Sequence, residues 1–173
     1  MQPTHSSRRI LLPARTWFIF LTLVLALFVN LVPLGRFAIF PDWVALVLTF
    51  WCIREPLKVS MGAAFVLGLL MDVADASVMG QHAFAYVLLA FAAGGLSRRI
   101  LWFPLGQQAL HVLPLLLGAQ IVMVAIRLAA GGEFPGVLWF TGSFLGAVLW
   151  HPLTYLLLLP QYQPVERDHN RPI

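Results

Sequence analysis

The chain has 173 residues, of which 60% are hydrophobic and only 10% are charged. A soluble domain carries roughly 25% charged residues, so this composition excludes an ordinary soluble protein and requires lipid around most of the chain. The net charge of +4 is scattered in small groups rather than gathered in the patch that a nucleic acid needs, and the single cysteine, Cys52, excludes an internal disulfide and a cysteine metal cluster.

Six apolar runs follow one another along the chain. About 20 helical residues, with a range of roughly 17–25, are needed to span the hydrocarbon core of a bilayer. We therefore predict an all-α, polytopic membrane protein in which residues 1–159 form a single six-helix transmembrane domain. The predicted spans are residues 16–34, 39–53, 57–71, 78–96, 107–130 and 137–159.

The first three runs are predicted as an anchor followed by two short spans. Basic residues precede the first run and no A-x-A cleavage pattern follows it, so it is a retained anchor rather than a signal peptide. The second run starts near Pro41 and ends at the polar turn Arg54-Glu55-Pro56, where Pro56 is placed to start the third helix. Both runs are short for a full span, so a re-entrant hairpin is the alternative.

The remaining three runs are separated by turn signals. Ser77 is the candidate N-cap of the fourth run, which Ser97-Arg98-Arg99 closes. Pro114 interrupts the fifth run, and the glycine- and proline-containing loop 131–136 ends it. After the sixth run, residues 160–173 are polar and hold three prolines, which predicts a disordered tail.

The positions of the basic residues predict the orientation. Six spans that start from a cytoplasmic N-terminus place nine of the eleven lysines and arginines inside. These nine are Arg8, Arg9, Arg15, Arg54, Lys58, Arg98, Arg99, Arg167 and Arg171. Arg36 and Arg127 then lie outside, together with Asp72, Asp75 and Glu133. Because lysine and arginine collect on the cytoplasmic side of membrane proteins, we expect both termini in the cytoplasm.

Residues that could carry chemistry do not form an enzyme signature. The chain lacks the nucleophile elbow G-x-S-x-G, the zinc-binding pair H-E-x-x-H and the Walker A loop, and its five histidines form no i,i+4 pair. Asp72 and Asp75 are three residues apart and could share a divalent cation or a proton. The simpler interpretation is that they end one helix and begin another at the water interface.

Arg127 lies within an apolar run, where a charge costs roughly 2.5–3.5 kcal/mol at the bilayer centre. It is near the outer end of its helix, so snorkelling to the interface explains it. A sharper hypothesis is an ion pair across the outer face with Asp72, Asp75 or Glu133.

His151 lies deep in the sixth run, where helical spacing places it on one face with Thr154 and Tyr155. We expect a neutral histidine that is bonded to a neighbouring helix, with a proton relay as the alternative. Ser143 falls on nearly the opposite side of the same ideal helix, so this helix supplies no nucleophile–base pair for an intramembrane protease or a lipid-modifying enzyme.

Small residues at four-residue spacing predict close helix packing. In the third run Ala64, Gly68 and Asp72 share one face with Phe65, so another backbone can approach beside the outer aspartate. That backbone belongs either to the same chain or to a single-span partner. The same spacing recurs at Ala90 and Gly94 in the fourth run and at Gly142 and Gly146 in the sixth.

Several short pieces occur in a fixed order between Pro41 and Arg99. They are Pro41-Asp42, Arg54-Glu55-Pro56, Gly62, the stretch Ala64-Phe65-Val66-Leu67-Gly68-Leu69-Leu70-Met71-Asp72, and Gly80-Gln81-His82-Ala83-Phe84-Ala85-Tyr86. None is a strong motif alone. Their order and spacing, which cover about a third of the chain, resemble the central block of the rod shape-determining protein MreD family of bacterial inner-membrane proteins.

The resemblance implies a non-enzymatic component of the cell-elongation machinery, without a cofactor, that supports rod shape and peptidoglycan synthesis. The implied partner is an MreC-like periplasmic scaffold, and through it an MreB-like filament and a peptidoglycan synthase. With the packing analysis, the candidate partner or helix-packing residues are Arg54, Ala64, Gly68, Asp72, Gly80, Gln81, His82, Arg127, Gly142 and Gly146.

The resemblance also implies a fold similar to the six-helix substrate-binding subunits of energy-coupling-factor vitamin transporters. Those subunits supply the alternative function, which is high-affinity capture of a small solute. Against it, the first run lacks the alanine stripe that such subunits use for docking, since Thr22 and Ala26 imitate that stripe poorly.

Overall fold

The computed structural model describes residues 14–32 and 40–161, which form six α-helices and no β-strand. The helices are α1 (Thr16–Leu31), α2 (Trp43–Arg54), α3 (Met61–Ala74), α4 (Gln81–Leu101), α5 (Leu105–Ala129) and α6 (Thr141–Leu158), with short 3-10 helices at Val137–Phe140 and Leu159–Gln161. The prediction of an all-α protein is confirmed. The predicted tail lies outside the described residues from position 162 onward.

Within residues 14–32 and 40–161, three helical segments are long and apolar enough to cross a membrane: α4, α5 and the segment Val137–Gln161 that contains α6. α1, α2 and α3 are apolar but have only 16, 12 and 14 residues. At 1.5 Å per residue they are about 24, 18 and 21 Å long, whereas the hydrocarbon core is about 30 Å thick. Crossing by these three helices therefore requires adaptation of the bilayer, and six full spans stay a prediction.

α2 lies at the centre of the bundle. Every residue from Val44 to Ile53 is buried, and the helix packs against α1, α4, α5 and α6. A helix that is enclosed on all sides has no polar face, which explains why its sequence shows no amphipathic pattern. Its one buried hydroxyl, on Thr49, donates to the carbonyl oxygen of Ala45 at 2.7 Å. α3, in contrast, lies at the edge of the bundle and packs mainly against α4.

The start of α3 differs from the prediction. Pro56 does not begin the helix, because it lies in a turn that the amide of Val59 closes by donating to the carbonyl oxygen of Glu55 at 3.1 Å. α3 therefore starts at Met61 rather than near residue 57.

The bounds of α4 also differ from the prediction. Ser77 is not its N-cap; Gly80 holds that position with φ +94°, and the helix starts at Gln81. The hydroxyl of Ser77 donates instead to Asp72. At the other end the helix continues past Ser97 to Leu101, because arginines are well accommodated in the last turn of a helix.

α5 is continuous through Pro114, which was expected to interrupt it. Its end is a Schellman motif, in which Gly131 adopts φ +82° and the amide of Gly132 donates to the carbonyl oxygen of Arg127 at 2.9 Å. The predicted turn at the two glycines is confirmed.

Charges are separated between the two ends of the bundle. Successive helices run in opposite directions: Asn30 at the end of α1 contacts the start of α2, and Glu55 after α2 contacts the segment before α1. We call one end the basic end, with Arg15, Arg54, Lys58, Arg98 and Arg99, and the other the acidic end, with Asp42, Asp72, Asp75 and Glu133. Among the described charged residues, the exceptions are Glu55 at the basic end and Arg127 at the acidic end.

Candidate functional site

Asp72, in the last turn of α3, is the centre of the densest polar cluster at the acidic end. It is only 1% exposed. Its Oδ1 accepts from the Ser77 hydroxyl at 3.0 Å and lies 2.9 Å from Nδ1 of His82. The backbone amides of Gly80 and His82 donate to Oδ2 and Oδ1, each at 2.8 Å, and the amide of Ala83 reaches Oδ2 at 3.4 Å.

These donors show that Asp72 caps α4 from a neighbouring helix. The first amides of a helix have no partner within the helix, and they carry the positive end of its dipole. Gly80 has no side chain that could cap α4, so the carboxylate of the preceding helix takes that role. The turn between the two helices is correspondingly tight, with Ala76 at φ +48° and Gly80 at φ +94°.

Close packing of α3 on α4 brings Asp72 to this position. A Cβ added at Gly68 would lie 2.5 Å from the amide nitrogen of Ala83 and 2.7 Å from the carbonyl carbon of His82. Ala64 is fully buried on the same face. Phe65 was expected on this face, but it is 48% exposed and points away from the bundle. The backbone that approaches Gly68 is thus α4 of the same chain, which leaves no room there for an external helix.

A second carboxylate, Asp42, joins three helices at the same end. Its Oδ1 accepts from the amide of Ala45, which caps α2, and from the side-chain amide of Asn30 in α1, both at 3.0 Å. Its Oδ2 accepts from the hydroxyl of Tyr86 in α4 at 2.6 Å. The Asn30 side chain in turn accepts from the amide of Trp43 at 3.1 Å.

We expect Tyr86→Phe to weaken the bundle by about 1.5–3 kcal/mol, because it removes a hydrogen bond to a charged group and leaves Asp42 without that donor. Thermal unfolding in detergent measures the loss. Tyr155→Phe is the matched control, since Tyr155 is 51% exposed. Equal melting temperatures for the two variants would contradict the role of this bond.

The Ser77–His82–Asp72 arrangement is not a catalytic triad. In a triad the serine and the aspartate bond to opposite nitrogens of the imidazole. Here both lie on Nδ1, at 3.3 and 2.9 Å, while Nε2 is 3.7 Å from a carboxylate oxygen of Asp75. Among the described residues, no group of three or more histidine, cysteine, aspartate or glutamate side chains is arranged to hold a metal ion. The chemistry of the cluster is the stabilisation of a helix end.

The simple interpretation of Asp72 and Asp75 therefore needs correction. Asp72 does not lie at a water interface between two helices but is buried beneath the turn that joins them. Asp75, whose side chain is 51% exposed, follows the end of α3. Gln81 and His82 are the first residues of α4 and are 5% and 7% exposed.

The glycines of α6 pack against the segment that leads into α2 and against α5. A Cβ at Gly142 would lie 2.8 Å from the carbonyl oxygen of Phe40, and one at Gly146 would lie 3.0 Å from the side chain of Leu116. Beside them Gln120 accepts from the hydroxyl of Ser143 at 2.6 Å. In α4, Ala90 is buried, but a Cβ at Gly94 would meet nothing within 4 Å.

Two ideas about embedded polar residues are wrong, namely the alternative hypothesis of an ion pair between Arg127 and Asp72 and the expectation of a bonded His151. Arg127 does not pair with Asp72, whose oxygens are occupied by donors from the turn and from α4; it lies exposed in the last turn of α5. His151 is exposed on the outside of α6, 5.7 Å from the ring of Tyr155, rather than bonded to a neighbouring helix. Thr154, expected on the same face, is fully buried.

The basic end has a polar network of its own. The amide of Ala14 donates to the carboxylate of Glu55 at 3.1 Å, and the ammonium group of Lys58 donates to the carbonyl oxygen of Ala14 at 2.7 Å. Lys58 and Glu55 also form an ion pair at 3.4 Å. Nearby, the guanidinium carbon of Arg54 lies 5.9 Å from the ring centroid of Phe50.

Sequence reasoning missed the network of Asn30, Asp42 and Tyr86. Two signals were present. Asp42 stands immediately before an apolar helix, where aspartate is a preferred N-cap, and Asn30 is a strongly polar residue inside an apolar run, where such residues bond across helices. The place of Tyr86 in the network had no comparable signal, because it is 44 residues from Asp42.

Comparison with known proteins agrees with the resemblance found in the sequence. The family described as rod shape-determining protein MreD matches residues 8–159. The rod shape-determining protein MreD of Haemophilus influenzae (strain ATCC 51907 / DSM 11121 / KW20 / Rd) is 29% identical over 149 residues, which cover 82% of this chain and 89% of that protein. No solved structure matches the chain. Because the family match includes all six helices, the chain belongs to the rod shape-determining protein MreD family.

Proposed function

We propose that this protein is a non-enzymatic scaffold of the cell-elongation machinery, which crosses the bacterial inner membrane six times and binds an MreC-like periplasmic partner. Its family supports a role in rod shape determination. Through that partner it supports peptidoglycan synthesis and acts with an MreB-like filament on the cytoplasmic side.

One observation carries the proposal: the buried carboxylates of the acidic end are engaged in holding helices together. Asp72 fixes α4 to α3, and Asp42 fixes α1, α2 and α4 to one another. A bundle whose ends are tied in this way presents a fixed surface, and a partner that binds a preorganised surface loses less conformational entropy. Such a surface suits a protein whose role is to hold others in place.

The separation of charge supports the proposed orientation. Five of the six described lysines and arginines lie at the basic end, which is the cytoplasmic end in the proposal. Two exposed positions report on it: Leu57, 98% exposed in the turn after α2, and Glu133 in the loop after α5. Ser97 would not serve as a reporter, because it is 7% exposed.

We expect a cysteine in place of Glu133 to react with a membrane-impermeant thiol reagent in intact cells, in a background where Cys52 is replaced by alanine. A cysteine in place of Leu57 should react only after the membrane is permeabilised, since it faces the cytoplasm. The reverse pattern would overturn the orientation. A Leu57→Cys variant that never reacts would show that α2 and α3 form a re-entrant hairpin.

Arg54→Glu is expected to round the cells when it is the sole copy, at normal membrane abundance. The change reverses a charge at the end of the buried α2, on the surface proposed to face the cytoplasmic elongation proteins. Arg98→Glu, at the same end of the bundle, is the matched control for the change in net charge. Rods of normal shape with Arg54→Glu would refute a role for this residue.

The transporter alternative gains no support from the cavity at the acidic end. This cavity lies between α2, α5 and α6, includes Asp42, Gln120 and Ser143 in its lining, and has a volume of about 10 Å³, which is room for about one water molecule. Ligand pockets usually measure about 300–1,000 Å³. The three polar side chains are already bonded within the protein.

Affinity capture of the full-length protein in mild detergent tests the proposed function. Retention of a single-span periplasmic scaffold would support it. Retention of a bound small solute or of an ATPase partner would favour the transporter alternative and overturn it.

A further inference from the structure

α3 presents an apolar band to its surroundings that is much shorter than a bilayer is thick. The outward residues are between 48% and 68% exposed: Met61, Phe65, Val66, Leu70 and Val73. From Met61 to Val73 the band spans twelve residue steps, or about 18 Å. The hydrocarbon core is about 30 Å thick.

Polar groups bound this band at both ends. Ser60, which is exposed, immediately precedes the helix, and the charged pair Lys58–Glu55 lies just before Ser60 in the turn. At the other end Asp75, with its side chain 51% exposed, comes directly after α3. The apolar band therefore cannot be lengthened at either end by further apolar residues of α3.

Contacts with α4 fix the position of α3 along the bundle. Asp72 joins its acidic end to the start of α4, and the close approach at Gly68 prevents α3 from sliding along α4. Tilting would only shorten the projection of the helix on the membrane normal. α2 is also short, with twelve residues, and is buried on all sides.

The next two helices in the chain are longer. α4, against which α3 packs, has 21 residues and α5 has 25, or about 31 and 37 Å at 1.5 Å per residue. Exposed leucines lie far apart on α5: Leu110 and Leu128 are eighteen steps, or about 27 Å, from each other. α5 therefore matches an ordinary bilayer.

We propose that the bilayer is locally thinned along α3, where lipid acyl chains cover the outward face, so that the protein holds a thin and a normal bilayer on its two sides. A helix shorter than the bilayer is accommodated by thinning of the lipid next to it. The inference rests on the proposed membrane-spanning architecture. Lipid occupies this face, and the lipid environment of the protein differs between α3 and α5.

Spin labels measure the thinning directly. Single cysteines replace Met61, Val73, Leu110 or Leu128 in the full-length protein with Cys52→Ala, and each is labelled and reconstituted into vesicles of dioleoyl phosphatidylcholine and phosphatidylglycerol. Collision with oxygen and with a water-soluble nickel chelate gives the depth of each label. Each depth is measured from the nearer surface of the hydrocarbon core. In an unthinned core of about 30 Å, the depths at Met61 and Val73 should sum to about 12 Å, because the two labels are about 18 Å apart. For Leu110 and Leu128 the sum should be about 3 Å.

With thinning, we expect the sum for the α3 pair to fall to about 3 Å, the same as for the α5 pair. A sum near 12 Å on α3 with normal values on α5 would overturn the inference and leave the proposed function intact. Labels on α3 that collide with neither reagent would show that a second protein chain covers the face, which also overturns it. Free access of the nickel chelate to all four labels would instead overturn the membrane-spanning architecture itself.

Discussion

Replacing Gly68 with alanine is expected to destabilise the protein by about 1–3 kcal/mol or more, although the same change within a helix usually stabilises by about 0.4–1 kcal/mol. The added methyl group would overlap the backbone of Ala83 and His82. Backbone cannot rotate aside as a flexible side chain can, so α3 and α4 must separate. Thermal unfolding in detergent and membrane abundance measure the effect.

Gly94→Ala is the matched control, since it is a helical glycine of α4 whose added Cβ would meet nothing within 4 Å. We expect it to be neutral or slightly stabilising. Gly68→Leu should exceed Gly68→Ala in its loss of stability. If Gly68→Leu instead left the melting temperature unchanged and only abolished capture of a partner, the contact between α3 and α4 would be wrong and the face would belong to an external helix.

Replacing Asp72 with asparagine is expected to cost about 3 kcal/mol or more, because a buried charge-assisted network loses one of its two acceptor oxygens. The new NH₂ group of the asparagine would face a backbone N–H that now donates to a carboxylate oxygen, so two donors would meet. Asp72→Ala should cost more, since it leaves the amides of Gly80 and His82 without their present partner. The readout is again thermal unfolding, with Asp75→Asn as the half-exposed control.

Double mutants separate the partners of Asp72. With His82→Ala we expect strongly non-additive losses, since the two side chains are 2.9 Å apart. With Arg127→Gln we expect simple addition, because Arg127 lies on α5 and has no place among the groups that surround Asp72. Additive losses with His82 would contradict the network, and non-additive losses with Arg127 would restore the ion pair that the structure excludes.

The sequence predicted the all-helical class, the buried face of α3 and the importance of Asp72, but not what Asp72 does. Four-residue spacing identifies a face where a backbone can approach, because it depends only on the geometry of one helix. It does not identify the approaching backbone. The cap on α4 required the turn between Ala76 and Gly80, whose positive φ angles bring residues eight to eleven positions away onto one carboxylate.

Errors at Phe65 and His151 have a related cause. A helical face inferred from spacing has no sharp edge, and Phe65 is about 60° from Gly68 but about 100° from Ala64 around an ideal helix. Whether such a residue is buried depends on how much of the helix surface its neighbours cover. Little of α3 is covered, because it lies at the edge of the bundle. His151 is exposed for the corresponding reason: none of the described helices covers that side of α6. Spacing alone does not contain this information.

The carboxylate that caps α4 belongs to α3, so the first turn of α4 is stable only while the two helices are docked. In hydrogen exchange, the amides of Gly80, His82 and Ala83 should therefore open together with the end of α3 rather than fray as an independent terminus. The order of the chain favours this arrangement during biosynthesis. α3 emerges first, so Asp72 is already present when the amides of α4 need an acceptor, and we expect the two helices to enter the membrane as one hairpin.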